Sequence, residues 1–240
     1  MPNVMKRLKS TQCVVLGALV LLSGALNGGV ALAQTRVNET RPLVQVRTEL
    51  GTFIIALYNE TPTHRDNFLK LVREEAYDSL LFHRAIPGLL VQGGDPESKR
   101  AGITATLGDG GPDYTLPAEV APGLVHTKGA VAAVRKSDDQ NPERRSNGSQ
   151  FYVVQGKSFQ PGELDLVAKR AASFGIPLTY SAEQQERYAT QGGAPHLDGA
   201  YTVFGEVVDG LEVIDAIAAQ PCNGSDRPLT DIRMFMRVLE

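Results

Sequence analysis

The chain has 240 residues, 42% hydrophobic and 21% charged, with a formal net charge of −3. That composition belongs to a folded globular protein and excludes a disordered, collagen-like or low-complexity chain. The acidic balance argues against a nucleic-acid partner, and two cysteines are too few for a disulfide framework.

The first thirty-three residues differ from the rest. Lys6, Arg7 and Lys9 form a basic start, Val14 to Leu26 is apolar, and Ala31-Leu32-Ala33 is a small-residue cleavage site. This pattern predicts a secretory signal peptide over residues 1–33. The apolar run is short for a membrane span, and an uncleaved anchor is the alternative. No cysteine lies near the cleavage point, which argues against lipid attachment. Cleavage near Ala33 removes three positive charges, so the formal charge goes from −3 to −6. The expected product is an exported chain, periplasmic or secreted, with no membrane span. It keeps a lone thiol, Cys222, which cannot form an internal bridge.

Residues 34–42 read as a polar linker. Leu43 to Thr48 alternates apolar and polar, and Phe53 to Tyr58 is an apolar strand, joined as a hairpin. Thr61-Pro62 reads as the N-cap and first residue of a helix whose core face carries Phe68, Leu71 and Val72. Next come two apolar runs, Leu80 to Phe82 and Leu89 to Val91, divided by a Pro87-Gly88 turn and closed by Gly93-Gly94-Asp95. The first run leads into a charged pair, His83 and Arg84, and Arg84 breaks the apolar strand pattern. A charge in that position is costly to bury without partners. It lies on a solvent face, or it is held at the floor of a groove for use.

Residues 99–122 predict a long ordered loop, 129–134 a small-residue strand, 135–147 a solvated charged loop, and 151–155 another strand. Two helices follow within residues 157–191. Leu164, Val167, Ala168 and Ala171 keep helical spacing; Ser181 with Gln184 is a capping box, and Gly192-Gly193 stops the second helix. This is a helical insertion on the rim, and the rest of the domain is expected to fold without it. Tyr201 to Val208 is a strand and Leu211 to Ala219 a short helix. Ile232, Met234, Met236 and Val238 alternate with Arg233, Phe235 and Arg237 in a last strand with one buried face. Many short strands and two main helices point to an all-β barrel, without giving its strand order.

Phe82-His83-Arg84, Ile86-Pro87-Gly88 and Gln92-Gly93-Gly94-Asp95 together resemble the signature of the cyclophilins, a family of peptidyl-prolyl cis/trans isomerases. Asn147 to Phe151, Leu197-Asp198-Gly199 and Val203-Phe204-Gly205 extend the resemblance across residues 43–240, less the insertion. It implies a closed antiparallel eight-stranded barrel capped by two helices, with the active groove outside. It implies isomerisation of X-Pro bonds in unfolded or folded polypeptides, with Arg84 as the donor to the prolyl nitrogen and Gln92 holding Arg84 and the substrate backbone. The implied proline pocket is Leu89, Leu90, Tyr152, His196, Leu197 and Tyr201. Val134 and Arg135 fall where the family offers backbone groups to the peptide, with Gln150 beside them. Five of these positions depart from the family: Leu89 stands for a phenylalanine, Leu90 for a methionine, Tyr152 where phenylalanine is common, His196 for a tryptophan and Tyr201 for a histidine. Leu89 matters most, because it removes an aromatic wall. Weak cyclosporin binding is expected from Leu89 and His196. No cofactor is implied, and no metal, because His64, His83, His126 and His196 lack ligand spacing. A non-catalytic proline-peptide module or holdase is the alternative.

Overall fold

The computed structural model describes residues 40–239. The expected signal peptide and most of the linker lie outside them. The strands are β1 (Leu43–Thr48), β2 (Gly51–Leu57), β3 (Phe82–Ile86), β4 (Leu90–Gly93), β5 (Thr115–Leu116), β6 (Ala130–Ala133), β7 (Ser146–Asn147), β8 (Phe151–Val154), β9 (Val203–Asp209) and β10 (Phe235–Leu239). The helices are α1 (Pro62–Arg73), α2 (Pro161–Ser173), α3 (Ala182–Thr190) and α4 (Leu211–Ala218).

Eight strands form one antiparallel sheet in the order β10-β1-β2-β9-β6-β8-β4-β3. The sheet curls until its edges meet. The Phe82 N–H donates to Ile232 O, and the Met234 N–H to Leu80 O, both at 2.9 Å. These bonds and the Leu81–Arg233 bridge join the two edges, so the expected barrel closes. Closure removes the bare edges that would otherwise recruit other chains.

Strand alternation makes two apolar clusters. Val46, Phe53, Ile55, Phe82, Val91, Val131, Phe151 and Phe204 face inward, and α1 and α4 cap this interior with Phe68, Val72, Ile214 and Ile217. The alternate residues of β4, β6, β8 and β9 face outward and form the second cluster, which includes Leu90, Ala132, Tyr152 and Val203.

The N-terminus of α1 differs in detail from its sequence pattern. Thr61 is the N-cap, but its hydroxyl makes no capping bond and is buried without a partner. The Glu119 carboxylate does the work instead, accepting from the Thr63 and His64 N–H groups at 2.9 Å each. A charged side chain from a distant loop satisfies the orphan donors and complements the helix dipole better than a threonine hydroxyl.

The predicted helices of residues 157–191 form and lie outside the barrel, but they are fastened to it. The Gly193 N–H donates to Lys157 O at 2.9 Å, and Gly193 also bridges Thr127. A Cβ at Gly193 would collide with the His126 carbonyl and the Tyr188 ring. Leu164 of α2 and Tyr188 of α3 are fully buried. The insertion is therefore less separable than its sequence suggests: Tyr188 belongs to the packed interior.

Candidate functional site

The pairing register lines up the site. Arg84 on β3 pairs with Gln92 on β4, Gln92 with Tyr152 on β8, and Tyr152 with Ala132 on β6. At about 4.8 Å between strands, the Cα atoms of Arg84 and Tyr152 are roughly 10 Å apart. That is about the span of a short extended peptide segment laid across the row.

Arg84 is half-exposed. Its Nε lies 3.4 Å from the Asp226 carboxylate, and both side chains remain open to solvent. An exposed pair of that length contributes between zero and about 1 kcal/mol. It orients the guanidinium without occupying its terminal nitrogens. Asp226 sits in left-handed backbone (φ 58°) on a turn that the Asn223 carboxamide braces from within. Nothing in the sequence marks Asp226; its neighbours Asn223-Gly224-Ser225 only read as a turn.

Gln92 is buried, and its side chain does not hold Arg84. Its amide donates to Gln150 Oε1 at 2.9 Å, and the Gln150 amide donates to the Gly108 and Gly110 carbonyls at 2.9 and 2.7 Å. This relay fixes Gln92 beside Arg84, with its carbonyl oxygen outside the relay. The Arg84–Gln92 link is thus one of backbone register rather than of side-chain bonding.

Leu89, Val134, Leu197 and Tyr201 are half-buried and pack on Leu90 and Tyr152, so six of the expected pocket residues share one outer cluster. Leu90 and Tyr152 form its floor, being 6% and 3% exposed. Val134 contributes its side chain only. Its N–H donates to Gln150 O at 3.1 Å and its carbonyl accepts from the Asn147 N–H at 2.8 Å, so both of the expected backbone groups bond inside the protein. Arg135 offers more than backbone. Its guanidinium lies 4.4 Å over the Tyr201 ring and donates to Ala200 O at 2.8 Å, which pins the pocket wall. His196 is exposed and turns toward α2, lining a groove there.

Beneath the pocket lies a buried relay that the sequence does not announce. The Tyr152 hydroxyl is 2.9 Å from His126 Nε2, and His126 Nδ1 is 2.8 Å from Asp198 Oδ1. Asp198 also accepts from the His126 backbone N–H at 2.7 Å. Nδ1–H therefore donates to the carboxylate, and Nε2 accepts from Tyr152. The second oxygen of Asp198 accepts from Tyr180 and Tyr188 of the insertion at 2.9 and 2.6 Å. Burial first, and the adjacent Asp198 second, push both hydroxyls far above the ordinary tyrosine range, so they remain donors. The Asp198 of the Leu-Asp-Gly motif was visible; its four donors, two from His126 and one each from Tyr180 and Tyr188 of the insertion, were not.

The His64 ring, near the start of α1, stacks on the inward-facing Phe204. Its Nδ1 is 2.6 Å from Glu119, and its Nε2 is 2.9 Å from Ser146 Oγ. Burial pushes His64 down more strongly than Glu119 pulls it up. Burial raises Glu119, but the bonds from His64 and Thr63 outweigh that and hold it below its ordinary value. The pair is a neutral imidazole donating to a carboxylate. Among the described residues, no three His, Cys, Asp or Glu come together as a metal site would need.

A row of one half-free arginine, a fixed carboxamide and an apolar floor can hold an extended peptide and place a cationic donor over it. Among the described residues, the ionisable group paired with that donor is the exposed Asp226 carboxylate. Comparison with known proteins agrees with this arrangement. The family described as cyclophilin type peptidyl-prolyl cis-trans isomerase/CLD matches residues 43–237. A peptidyl-prolyl cis-trans isomerase-like 1 from Neurospora crassa is 30% identical over 192 residues, 80% of this chain and 90% of that one. A longer Streptococcus pyogenes protein, whose name pairs a phosphatase with a peptidyl-prolyl cis-trans isomerase, is 33% identical over 198 residues. The match takes in 81% of this chain but only 38% of the streptococcal one. In fold, the chain resembles a Cryptosporidium parvum cyclophilin type isomerase, with a TM-score of 0.60, 22% identity, and 83% and 98% of the two chains covered. That protein has also been crystallised in the presence of the dipeptide Ala-Pro.

Proposed function

The chain belongs to the cyclophilin-type peptidyl-prolyl cis/trans isomerases, and on that premise we propose that it rotates X-Pro bonds in exported polypeptides with Arg84 as the donor to the prolyl nitrogen. The observation that carries this reading is the row Arg84–Gln92–Tyr152, in which the guanidinium is tethered only by a 3.4 Å contact to Asp226.

The chemistry needs little else. Amide resonance sets a barrier of about 18–20 kcal/mol, so an uncatalysed X-Pro bond turns over in tens to hundreds of seconds. At the twisted midpoint, conjugation is lost and the nitrogen recovers a lone pair. A donor aimed at it binds the twisted state better than either planar state, and only such a difference accelerates the reaction. Arginine suits the task because it is always charged, donates only and keeps a rigid fork. The proline ring would rest on Leu90 and Tyr152 between Leu89, Leu197 and Tyr201. The Ala-Pro dipeptide used with the Cryptosporidium protein is the ligand class this floor suits. Export rests on the basic, apolar and small-residue succession of residues 1–33.

A protease-coupled assay on the chain from Gln34 onward tests the proposal. A hydrogen bond to a charged group is worth about 1.5–3 kcal/mol, so Arg84→Ala should lose roughly ten- to hundred-and-fifty-fold in kcat/KM. Arg84→Lys, which replaces a fork with a point charge, should lose nearly as much. Melting temperature should stay unchanged, because among the described residues the Arg84 side chain's ion pair is the exposed one with Asp226. Near wild-type turnover by the alanine variant would sink the mechanism.

A further inference from the structure

The insertion has an apolar face that its own packing does not cover. Helix α2, which packs on α3 and on the turn Pro195–Leu197, buries Leu164 and leaves Leu166 and Phe174 65% and 68% exposed. Positions 166, 170 and 174 recur every fourth residue, so Leu166, Arg170 and Phe174 form one stripe, flanked by Val167 and Ala171. Exposed leucines occur singly on many surfaces, but two large apolar side chains on one stripe beside a concavity mark a contact surface. The concavity is a groove of about 520 Å³ between this stripe and His196, closed at one end by Ile176.

The groove continues from the pocket. Helix α2 packs on the short turn Pro195–Leu197. On that turn, Leu197 joins the outer cluster of the site, while the neighbouring His196 lines the groove. Two consecutive residues thus serve two adjoining surfaces. A polypeptide seated on Leu197 is therefore next to the groove at His196.

We propose that this groove takes a large apolar side chain, leucine- or phenylalanine-like, from the same polypeptide whose proline occupies the site, so that the insertion selects proline bonds lying near hydrophobic residues. This rests on the isomerase reading above and adds a substrate class to it. Such segments are buried in folded proteins and exposed in unfolded ones, so the groove favours unfolded clients. The apolar stripe supplies the attraction, and Asp138 and Arg170 on the groove walls supply polar contacts for the peptide backbone.

The test uses the chain from Gln34 onward and a set of soluble peptides. Each has one Ala-Pro bond in a serine-alanine background, with a single phenylalanine moved through positions two to seven on either side. A peptide without phenylalanine is the reference. Wild type should show KM at least fivefold below the reference at one or two positions on one side, with kcat little changed. The variant Leu166→Ser/Phe174→Ser changes only exposed side chains, so it should fold normally. It should abolish that preference and leave kcat/KM on the reference peptide unchanged. Equal KM at all positions in wild type would overturn the proposal. So would an equal loss on every peptide in the variant, since the stripe would then act through the proline pocket. Sedimentation that shows a dimer dissolved by the same two substitutions would assign the stripe to a second copy of the chain. If wild type turns over no peptide, the isomerase reading fails. Calorimetric titration with the same peptides then still reads the groove, because only a used groove binds the phenylalanine peptides more tightly than the reference.

Discussion

Asp198 offers the sharpest perturbation. Its carboxylate is 2% exposed, and Tyr180 and Tyr188 are the two donors to one of its oxygens. Changing either to phenylalanine keeps a ring in place and removes one hydroxyl. A hydrogen bond to a charged group contributes about 1.5–3 kcal/mol, but the surviving tyrosine can tighten on the same oxygen. Each single variant should therefore lose about 1 kcal/mol. The double variant leaves a buried carboxylate oxygen with no donor, and the loss should rise to roughly 3–6 kcal/mol. The double loss should then exceed the sum of the singles by about 1 kcal/mol or more, as expected for groups sharing one acceptor. Urea unfolding reads this as a lower midpoint at unchanged slope. The same variants reach the pocket through His126, whose Nε2 accepts from Tyr152. KM for a proline peptide should rise severalfold in the double variant while kcat stays near wild type. Additivity within about 0.5 kcal/mol, or a double loss below about 1 kcal/mol, would refute the relay as a load shared by two tyrosines.

Removing residues 157–191 takes away two fully buried side chains, Leu164 and Tyr188, and both tyrosine bonds to Asp198. At about 1.5–3 kcal/mol for each side chain and each bond, the loss rivals a whole domain's stability. The deletion should fail to fold, and a native-like melting transition by circular dichroism would contradict the assignment of Tyr188 to the core. Acid should weaken the protein before base does. Burial lowers His64 and His83 below the ordinary 6.5, so the unfolded chain binds more protons. Their contribution is complete above about pH 6.5 and is lost as pH falls through the lowered values. The buried tyrosines Tyr77 and Tyr152 are raised by burial above the ordinary 10.0, so stability is also lost above about pH 10. Denaturation midpoints from pH 4 to 11 should show a plateau between these limits; flat stability down to pH 4.5 would contradict it. Cyclosporin should inhibit weakly, because Leu89 stands where the resemblance implies an aromatic wall and His196 turns away toward α2. Leu89→Phe should tighten binding by about 1.5–3 kcal/mol, while His196→Trp, at an exposed position outside the outer cluster, should add little. Tight binding to the unmodified protein by calorimetry would count against this pocket.

What could be read in the sequence was local. The alternation of β1 and β10, the glycine and proline turns around Arg84, and the capping box at Ser181 all follow from neighbours within a few residues. The glutamate cap on α1 was not legible, because Glu119 reaches His64 across fifty-five positions and the nearby Thr61 supplies the expected residue type. Likewise, Arg84 stands out as a charge in an apolar run, while its partner Asp226 lies 142 positions away in an ordinary turn. Gln92 shows the same limit. Its place next to Arg84 follows from hairpin register, but the choice of Gln150 as its partner depends on how β8 docks against β4. The outer cluster was named residue by residue only through the resemblance; alternation says that Tyr152 and Phe151 face opposite ways, not which way is out.

The seam of the barrel has a temporal consequence. Leu43 at the start of β1 pairs with Leu239 near the end of β10, and the chain before β3 pairs with Ile232 and Met234. Neither edge is covered until the last dozen residues are available. Every shorter product of the ribosome therefore carries two open strand edges and a missing wall of the interior. Contacts of such sequence separation are slow to form, because loop closure precedes any reward. The chain stays pliable for nearly the whole of its synthesis and closes abruptly at the end. Were the chain exported as proposed, that late closure would keep the polypeptide passable through a membrane channel. It also sets the hazard: a stop codon that removes β10 alone should yield an insoluble product, although each residue of the Arg84 row is still present.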